Sequence, residues 1–252
     1  MTIDARTARA AIWRAAAAIA GLSAGLALAE PASAPLAPGA AAEEPVTFSD
    51  AETRLWLTDQ LRSIDRPLTL EYDFVKSGSF EQGFTDTVRF TVSKVNADGS
   101  KAAALEFFTG ERHFPVPPVD SATTNPVLKV YMQGDVYEMN RLTDPDGTSR
   151  ERWRYFQRRI KFALAESATV TPSTFEFDGR QWQGHVIAFA PFVNDPRRDQ
   201  FERFADKHYA VTVSDDLPGY VYRIEVVVPG AGNAAEPLIR EVLQLRAIEP
   251  AG

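Results

Sequence analysis

The sequence predicts a single α+β domain in which a strongly curved antiparallel sheet, a half-barrel, carries two or three helices over its concave face. Two observations predict this class. Much of the chain after residue 66 alternates apolar and polar residues with the period of half-buried strands, and one strongly patterned helix interrupts that series. The alternation favours antiparallel strands, because parallel strands are buried on both faces and contain continuous apolar runs.

The first 47 residues are predicted to lie outside the folded domain, which spans residues 48–252. Three arginines precede a run of small and apolar residues that ends in Ala27-Leu28-Ala29, the small-x-small pattern of a signal-peptidase site. Residues 1–29 are therefore predicted to be a signal peptide for export to the periplasm, with a retained membrane anchor as the alternative. Residues 30–47 are predicted to be a disordered Ala/Pro-rich tether.

The composition restricts the function classes. The chain has 252 residues, of which 34 are acidic and 27 basic, and its formal net charge is -7. Nucleic-acid binding is not expected, because phosphate contact needs a basic surface. No later apolar run reaches the roughly 20 residues of a membrane-spanning helix, so no transmembrane span is predicted in the mature chain. The absence of cysteine excludes a lipobox and disulfides.

The segment before the patterned helix is predicted to be mainly strands. A first helix at residues 48–64 is followed by alternating strands, whose predicted bounds are 68–75, 84–95 and 101–109. Residues 112–126 contain four prolines and are predicted to form an irregular loop. A further hairpin closed near Gly134 is predicted, with strands at 127–133 and 135–142.

The patterned helix is predicted at residues 149–166, with Thr148 or Ser149 as its cap. One stripe about 100° wide is apolar and should face the core; it contains Trp153, Phe156, Ile160, Ala163 and Leu164. Tyr155 and Phe162 lie on the opposite face, between arginines. Either a loop of the same chain covers that face, or the face borders a ligand cavity, a partner or a membrane surface.

The segment after the helix is again predicted to be mainly strands. A hairpin turns at Asp178-Gly179, and a short helix with Pro196 at its first position spans residues 194–206. The remaining strands are predicted at 174–178, 181–189, 208–214, 219–228 and 238–248.

Four stretches carry a resemblance to a known superfamily: LEYDFVKSGSF, FTDTVRFTV, FEFDGRQWQGHVIAF and ADKHYAVTVSDDLPGYVYRIEVVV. Together with the helix and a last long strand, they resemble the half-barrel periplasmic proteins related to the lipoprotein carriers of the outer-membrane sorting pathway. The resemblance covers most of residues 66–248 and rests on strand pattern and turn placement. It implies a concave face that accommodates acyl chains, helices that act as a lid, and a carrier or binding module, not an enzyme.

No catalytic, metal or cofactor site is predicted. The chain has no cysteine and no G-x-S-x-G motif. His113, His185 and His208 are separate from one another and have no carboxylate at metal-ligand spacing. A hydrolase that uses His113 or His208 is the least favoured hypothesis.

Two sets of residues are candidates for binding. The first should contact an apolar or amphipathic ligand, if the curved sheet leaves a cavity and not a filled core; it comprises Tyr72, Phe90, Trp153, Phe156, Ile160 and Trp182. The second should contact a lipid headgroup or an acidic envelope protein, since arginine forks match carboxylate and phosphate oxygens; it comprises Arg154, Tyr155, Arg158 and Phe162. Solubility of an exposed helix is the alternative for the second set.

The sequence thus predicts an exported periplasmic carrier or binding module for a lipid, an acyl chain or a lipoprotein-like cargo. The alternative is a non-enzymatic envelope assembly protein that docks through the basic aromatic helix at residues 149–166.

Overall fold

The structure is a computed structural model that describes residues 47–144, 150–232 and 236–251. The predicted signal peptide and the predicted tether, apart from Thr47, lie outside these residues. So do the predicted caps Thr148 and Ser149.

The ten strands form one antiparallel sheet that is curved and not closed, and the predicted fold class is confirmed. The strands are β1 (Leu68–Ser77), β2 (Phe84–Val95), β3 (Lys101–Phe107), β4 (Phe114–Pro115), β5 (Val119–Ala122), β6 (Thr169–Phe177), β7 (Arg180–Phe189), β8 (His208–Val213), β9 (Val221–Val228) and β10 (Ile239–Pro250). The short β4 and β5 lie in the segment that was predicted to be irregular, and both pair with β3.

The strand order joins two meanders side by side. Strands β4-β3-β2-β1 form one half of the sheet, and β10-β9-β8-β7-β6 form the other. The first long strand pairs with the last, from Leu68 opposite Pro250 to Ser77 opposite Arg240, with an irregularity between Glu71 and Tyr72. The two halves therefore meet in the middle of the sheet at a pairing between the two ends of the domain.

Three helices accompany the sheet. The first, α1 (Asp50–Glu52), continues as a π-helical turn over Thr53–Leu57 and is shorter than predicted. The others are α2 (Pro126–Thr143) and α3 (Arg150–Glu166). The short helix predicted at residues 194–206 is present as two 3₁₀ turns, Arg198–Gln200 and Glu202–Asp206. None of the helices that the structure describes is long and apolar enough to cross a membrane.

Helix α2 replaces the hairpin predicted around Gly134, and that prediction is wrong. Asn125 caps the helix by accepting a hydrogen bond from the main-chain N–H of Val127 at 3.0 Å, and Pro126 occupies the first turn. Apart from Gly134, the buried positions recur in adjacent pairs four residues apart, which is a helical period; they are 127, 128, 131, 132, 135, 136, 139 and 140.

The core lies between the sheet and the helices. On β1, β2 and β3 the buried residues alternate with exposed ones, and cross-strand partners share a face: Tyr72 lies opposite Val88, and Val88 opposite Phe107. We call the face that carries these residues the covered face and the other the outer face. Helix α2 packs on the covered face over β2 and β3.

The end of the β6–β7 hairpin passes the end of β8 and packs on the outer face. β8 pairs with β7 as far as Val213 opposite His185. A Cβ atom at Gly184 would lie 2.2 Å from the carbonyl oxygen of Val213, so glycine is needed where the hairpin passes that strand end. Beyond this point Phe175 stacks on Tyr222 of β9, with ring centroids 4.0 Å apart.

Candidate ligand-binding site

A buried ion pair fixes α2 to the second half of the sheet. The carboxylate of Asp135 accepts a hydrogen bond from the ammonium group of Lys207 and another, at 2.6 Å, from the hydroxyl of Tyr209. The Asp135 and Lys207 side chains are only 2% and 3% exposed. Burial raises the pKa of Asp135, although the charge of Lys207 opposes that effect. Breaking this pair would leave a charge uncompensated in the interior.

A second group of charges fixes α2 to the central strands. Lys76 of β1 lies opposite Glu241 of β10, and its ammonium group is 3.0 Å from that carboxylate and 2.7 Å from the carboxylate of Glu138. Tyr131 donates to Glu241 at 2.9 Å. Burial alone would raise the pKa of Glu138, but Lys76 and Arg141 together lower it to about 2.

These contacts lie along one side of α2. Tyr131, Asp135 and Glu138 follow one another at spacings of four and three residues, so they share a helix face. That face lies on polar groups of β1, β8 and β10 and on Lys207. Helix α2 is therefore a fixed part of the sheet assembly.

Helix α3 is held by loops and by α2. Tyr155 donates to the carboxylate of Asp195 at 2.6 Å, and the guanidinium of Arg159 lies 2.7 Å from the other oxygen of that carboxylate. The guanidinium of Arg197 lies 4.6 Å from the centre of the Tyr155 ring. Burial and the hydrogen bond to Asp195 raise the pKa of Tyr155 to about 12. The loop after β7 therefore covers Tyr155, as one of the two alternatives predicted.

Phe156, in the buried stripe of α3, packs on that same loop. Phe156, Ile160, Ala163 and Leu164 are buried, while Trp153 is half-buried. The Phe156 ring lies 5.4 Å from that of Phe192 and 5.3 Å from that of Phe201. These rings belong to the segment between β7 and β8.

The α2–α3 seam is the line of contact between these two helices, and four of its residues are Gln133, Tyr137, Trp153 and Gln157. The Tyr137 and Trp153 rings lie 5.9 Å apart. The side-chain amide of Gln157 donates to that of Gln133 at 3.3 Å. All four side chains are half-buried. The seam is thus an amphipathic line that reaches the surface.

The structure places five of the six predicted ligand contacts on the covered face or on α3. Tyr72 and Phe90 are fully buried on β1 and β2, where the Tyr72 hydroxyl donates to the carbonyl of Val221 at 3.2 Å. Phe156 and Ile160 lie in the buried stripe, and Trp153 lies at the seam.

Trp182 is the exception. Its side chain was predicted to point inward, but it lies on the outer face. It lies opposite Phe175 in the β6–β7 pairing, whereas the buried Ile187 is five residues away and therefore points to the other side. Its indole N–H donates to the carbonyl of Phe177 at 3.1 Å, and Arg180 lies over its ring. The structure does not bring Trp182 together with the other predicted ligand contacts.

The rest of the second predicted set remains on the surface. Arg154 and Arg158 are exposed on α3 next to Lys161, and Phe162 is 49% exposed. Within the part of the chain that the structure describes, neither Arg154 nor Arg158 forms an ion pair. This α3 outer strip, defined by Arg154, Arg158, Lys161 and Phe162, is basic with an exposed aromatic ring.

Gln133 was not among the predicted site residues, because it belonged to the predicted hairpin. The signal that could have identified it was the Asn125-Pro126 start of a helix. As for metals, no group of three or more His, Cys, Asp or Glu side chains that could hold an ion occurs within residues 47–144, 150–232 and 236–251.

The chain is similar to several solved structures. The crystal structure of MucB in complex with MucA is 13% identical with a TM-score of 0.36; the match covers 82% of this chain and 56% of MucB. The Mycobacterium tuberculosis lipoprotein LppX is 9% identical with a TM-score of 0.33, over 81% of this chain and 99% of LppX. A LolA superfamily protein from Nitrosomonas europaea is 8% identical with a TM-score of 0.21, over 82% and 95%.

No family model and no curated protein matches the sequence. One of these structures is described as a LolA superfamily protein, which agrees with the resemblance predicted from the sequence. At these identities and TM-scores the similarity concerns the fold, and it carries no argument about a ligand or a partner.

Proposed function

We propose that this chain is a non-enzymatic carrier or binding module for an apolar or amphipathic ligand, and that it is exported to the periplasm. The ligand lies between the sheet assembly and α3, in contact with Trp153, Phe156 and Ile160. The covered face around Tyr72 and Phe90 forms the floor of the same interior.

One observation carries the proposal: the two long helices are attached in different ways. Charged groups in the interior tie α2 to the strands. The polar contacts of α3 run instead to α2, to Asp195 and to Ser49. Displacement of α2 separates Asp135 from Lys207, whose side chains are both buried, whereas displacement of α3 separates Asp195 from Arg159, whose side chain is 24% exposed. Helix α3 is the cover that can open.

Opening of α3 supplies apolar surface for a ligand. The displaced helix uncovers the positions under Phe156 and Ile160, and each methylene of a ligand buried there contributes roughly 0.8 kcal/mol. An acyl chain of ordinary length can thus compensate for the lost packing of α3.

Native mass spectrometry of the mature protein from its own periplasm tests the proposal directly. Extra mass that is released on denaturation and extracts into organic solvent is the expected result. A bare polypeptide mass under gentle conditions would contradict the carrier function, and the variant Trp153→Arg should lose the extra mass while its circular dichroism stays unchanged.

A cross-link across the seam tests the role of α3. The chain has no cysteine, so Gln133→Cys with Gln157→Cys introduces the sole thiol pair. A reducible bis-thiosulfonate reagent that spans the pair should block uptake of an apolar dye, and reduction should restore it. The same variant before cross-linking is the control. Equal uptake in both forms would refute the opening of α3.

The α3 outer strip favours a second candidate function, docking on an acidic envelope protein. Charge complementarity supports it, because the strip is basic and carries an exposed ring on a chain of net charge -7. The variant Arg158→Glu with Phe162→Ser should abolish photo-crosslinking from position 161 to its partner while ligand mass is retained. Unchanged cross-links would exclude this surface.

A further inference from the structure

The α2–α3 seam contains two hydrogen-bond donors that are shielded from solvent and unused. The indole Nε1 of Trp153 and the amide Nε2 of Gln133 are both buried atoms with no hydrogen-bond partner among the residues that the structure describes. A buried donor without a partner costs about 1–3 kcal/mol. Two such donors in one place are therefore an unusual feature of a folded chain.

The two donors belong to one small region. Gln133 and Gln157 are joined by a hydrogen bond across the seam, and Tyr137 and Trp153 are in ring contact one helical turn further along. The two donors therefore lie about one helical turn apart along the seam, roughly 5.4 Å of helix rise, and each is open to an acceptor oxygen of a ligand.

Both unused groups are N–H donors, which determines the chemistry of the missing partner. An indole N–H has no acceptor capacity, and the Gln133 oxygen is already occupied by the Gln157 amide. The partner must supply acceptor oxygens. It must also enter an amphipathic seam between helices, beside the aromatic rings of Tyr137 and Trp153.

We infer that the α2–α3 seam is a recognition site for the carbonyl or carboxylate oxygen of an acyl ligand, with Trp153 and Gln133 as its donors. This inference rests on the proposed carrier function and adds the polar end of the ligand to it. The acyl chain lies under α3, and its oxygen end lies at the seam near the surface. A pure hydrocarbon has no group for this site.

Binding of three ligands with the same chain length tests the inference. Lauric acid, methyl laurate and dodecane each displace the apolar dye N-phenyl-1-naphthylamine from the mature protein, and the fluorescence gives their affinities. Trp153→Phe keeps an aromatic ring and removes the N–H, and Gln133→Met keeps the length and removes the amide. Each variant should weaken the oxygen-containing ligands roughly fivefold, the effect of one hydrogen bond, and leave dodecane unchanged.

Trp182→Phe is the matched control, because that indole N–H is already bonded on the outer face. It should change none of the three affinities. A loss for lauric acid alone identifies a carboxylate ligand, and a loss for both oxygen-containing ligands identifies a carbonyl; either supports the site.

Three other outcomes have different meanings. Equal weakening of all three ligands in Trp153→Phe would show a packing effect and overturn the inference, while the carrier function stands. Unchanged affinities would overturn it as well, since the donors then bind water only. If the unaltered protein binds none of the three ligands, the proposed function fails and the inference fails with it.

The indole N–H resonance of Trp153 gives an independent readout. Comparison with Trp153→Phe assigns it among the signals of the mature chain. Lauric acid should move this resonance downfield, as expected for a new hydrogen bond, whereas dodecane should not. A resonance that responds alike to both ligands would contradict a specific acceptor contact.

Discussion

The hydroxyl of Ser49 donates a hydrogen bond to the main-chain carbonyl of Leu164 at 2.8 Å, across 115 residues of sequence. The same oxygen accepts from the N–H of Glu52 at 3.0 Å, and the Glu52 carboxylate accepts from the N–H of Ser49. One side chain therefore caps the start of α1 and satisfies a carbonyl in the last turn of α3. The covering helix is attached at its C-terminal end to the beginning of the domain.

Loss of this hydroxyl should loosen α3. The variant Ser49→Ala removes a helix cap and a distant hydrogen bond together, so the free energy of unfolding in urea should fall by about 1–2 kcal/mol. Hydrogen exchange should become faster in residues 163–166. Ser93→Ala is the control, because that exposed hydroxyl donates within its own hairpin. Equal losses in the two variants would argue against a special role of Ser49.

Breaking the buried ion pair under α2 should destabilise the protein strongly, whereas replacing both of its members should have a small effect. Lys207→Met leaves the Asp135 carboxylate without its cation, and the free energy of unfolding should fall by about 3–5 kcal/mol. The double variant with Asp135→Leu should recover most of that loss, because neither charge remains. Denaturant unfolding measures both.

The control for the ion pair is Arg62→Ala, which breaks the exposed pair of Arg62 with Asp215. An exposed pair contributes at most about 1 kcal/mol. If Lys207→Met lowers the free energy of unfolding no more than Arg62→Ala does, buried charge does not hold α2 in place.

Stability should decline in acid through Glu138. Its pKa is lowered from 4.5 to about 2 in the folded protein. The stabilisation is complete above about pH 4.5 and is lost as the pH falls toward 2, because the unfolded chain takes up the proton first. At about 1.4 kcal/mol per tenfold change, the lowering is worth roughly 3 kcal/mol.

Urea unfolding at a series of pH values measures this dependence. Glu138→Gln should be less stable at pH 6 and show a flatter decline between pH 5 and 2. Glu106→Gln, at an exposed position of β3, should follow the unaltered protein. If the free energy of unfolding falls with pH in parallel for Glu138→Gln and the unaltered protein, Glu138 is not the source of the acid sensitivity.

The Tyr155 hydroxyl should limit how often α3 opens. Tyr155→Phe removes one of the hydrogen bonds to the Asp195 carboxylate, whose side chain is 0% exposed. We expect a loss of about 1.5–3 kcal/mol, the effect of one hydrogen bond to a charged acceptor, and faster dissociation of a bound apolar dye in stopped-flow fluorescence. Tyr222→Phe, which removes a hydroxyl on the outer face, should leave the dissociation rate unchanged.

Most of the fold could be predicted because strand alternation is a local signal. The bounds predicted for β2 are those observed, and the other long strands differ by a few residues at their ends, β6 by five at its start. Helix α2 was missed because Asp135 and Asn140 occupy buried positions and interrupt its apolar pattern. The partner of Asp135, Lys207, is distant in sequence, so no local pattern shows why Asp135 is buried.

The site was predictable only in part. The apolar stripe of α3 was predicted correctly because helical periodicity, like strand alternation, is a local signal. The inward assignment of Trp182 failed because it and Phe189 are seven residues apart in one strand, and an odd separation places two residues on opposite faces. The unused donors of Gln133 and Trp153 depend on which helices meet, which a single sequence does not contain.

The pairing of β1 with β10 has a consequence for how the chain reaches its native state. Each meander contains only contacts between neighbours in sequence, so each can form early. The step that joins them must align ten residue pairs across more than 150 residues of chain, and it cannot begin until β10 exists. Until then β1 and β10 are open edges, able to pair with other chains. Removal of β10 would therefore leave the two meanders unjoined, each with an unpaired edge strand.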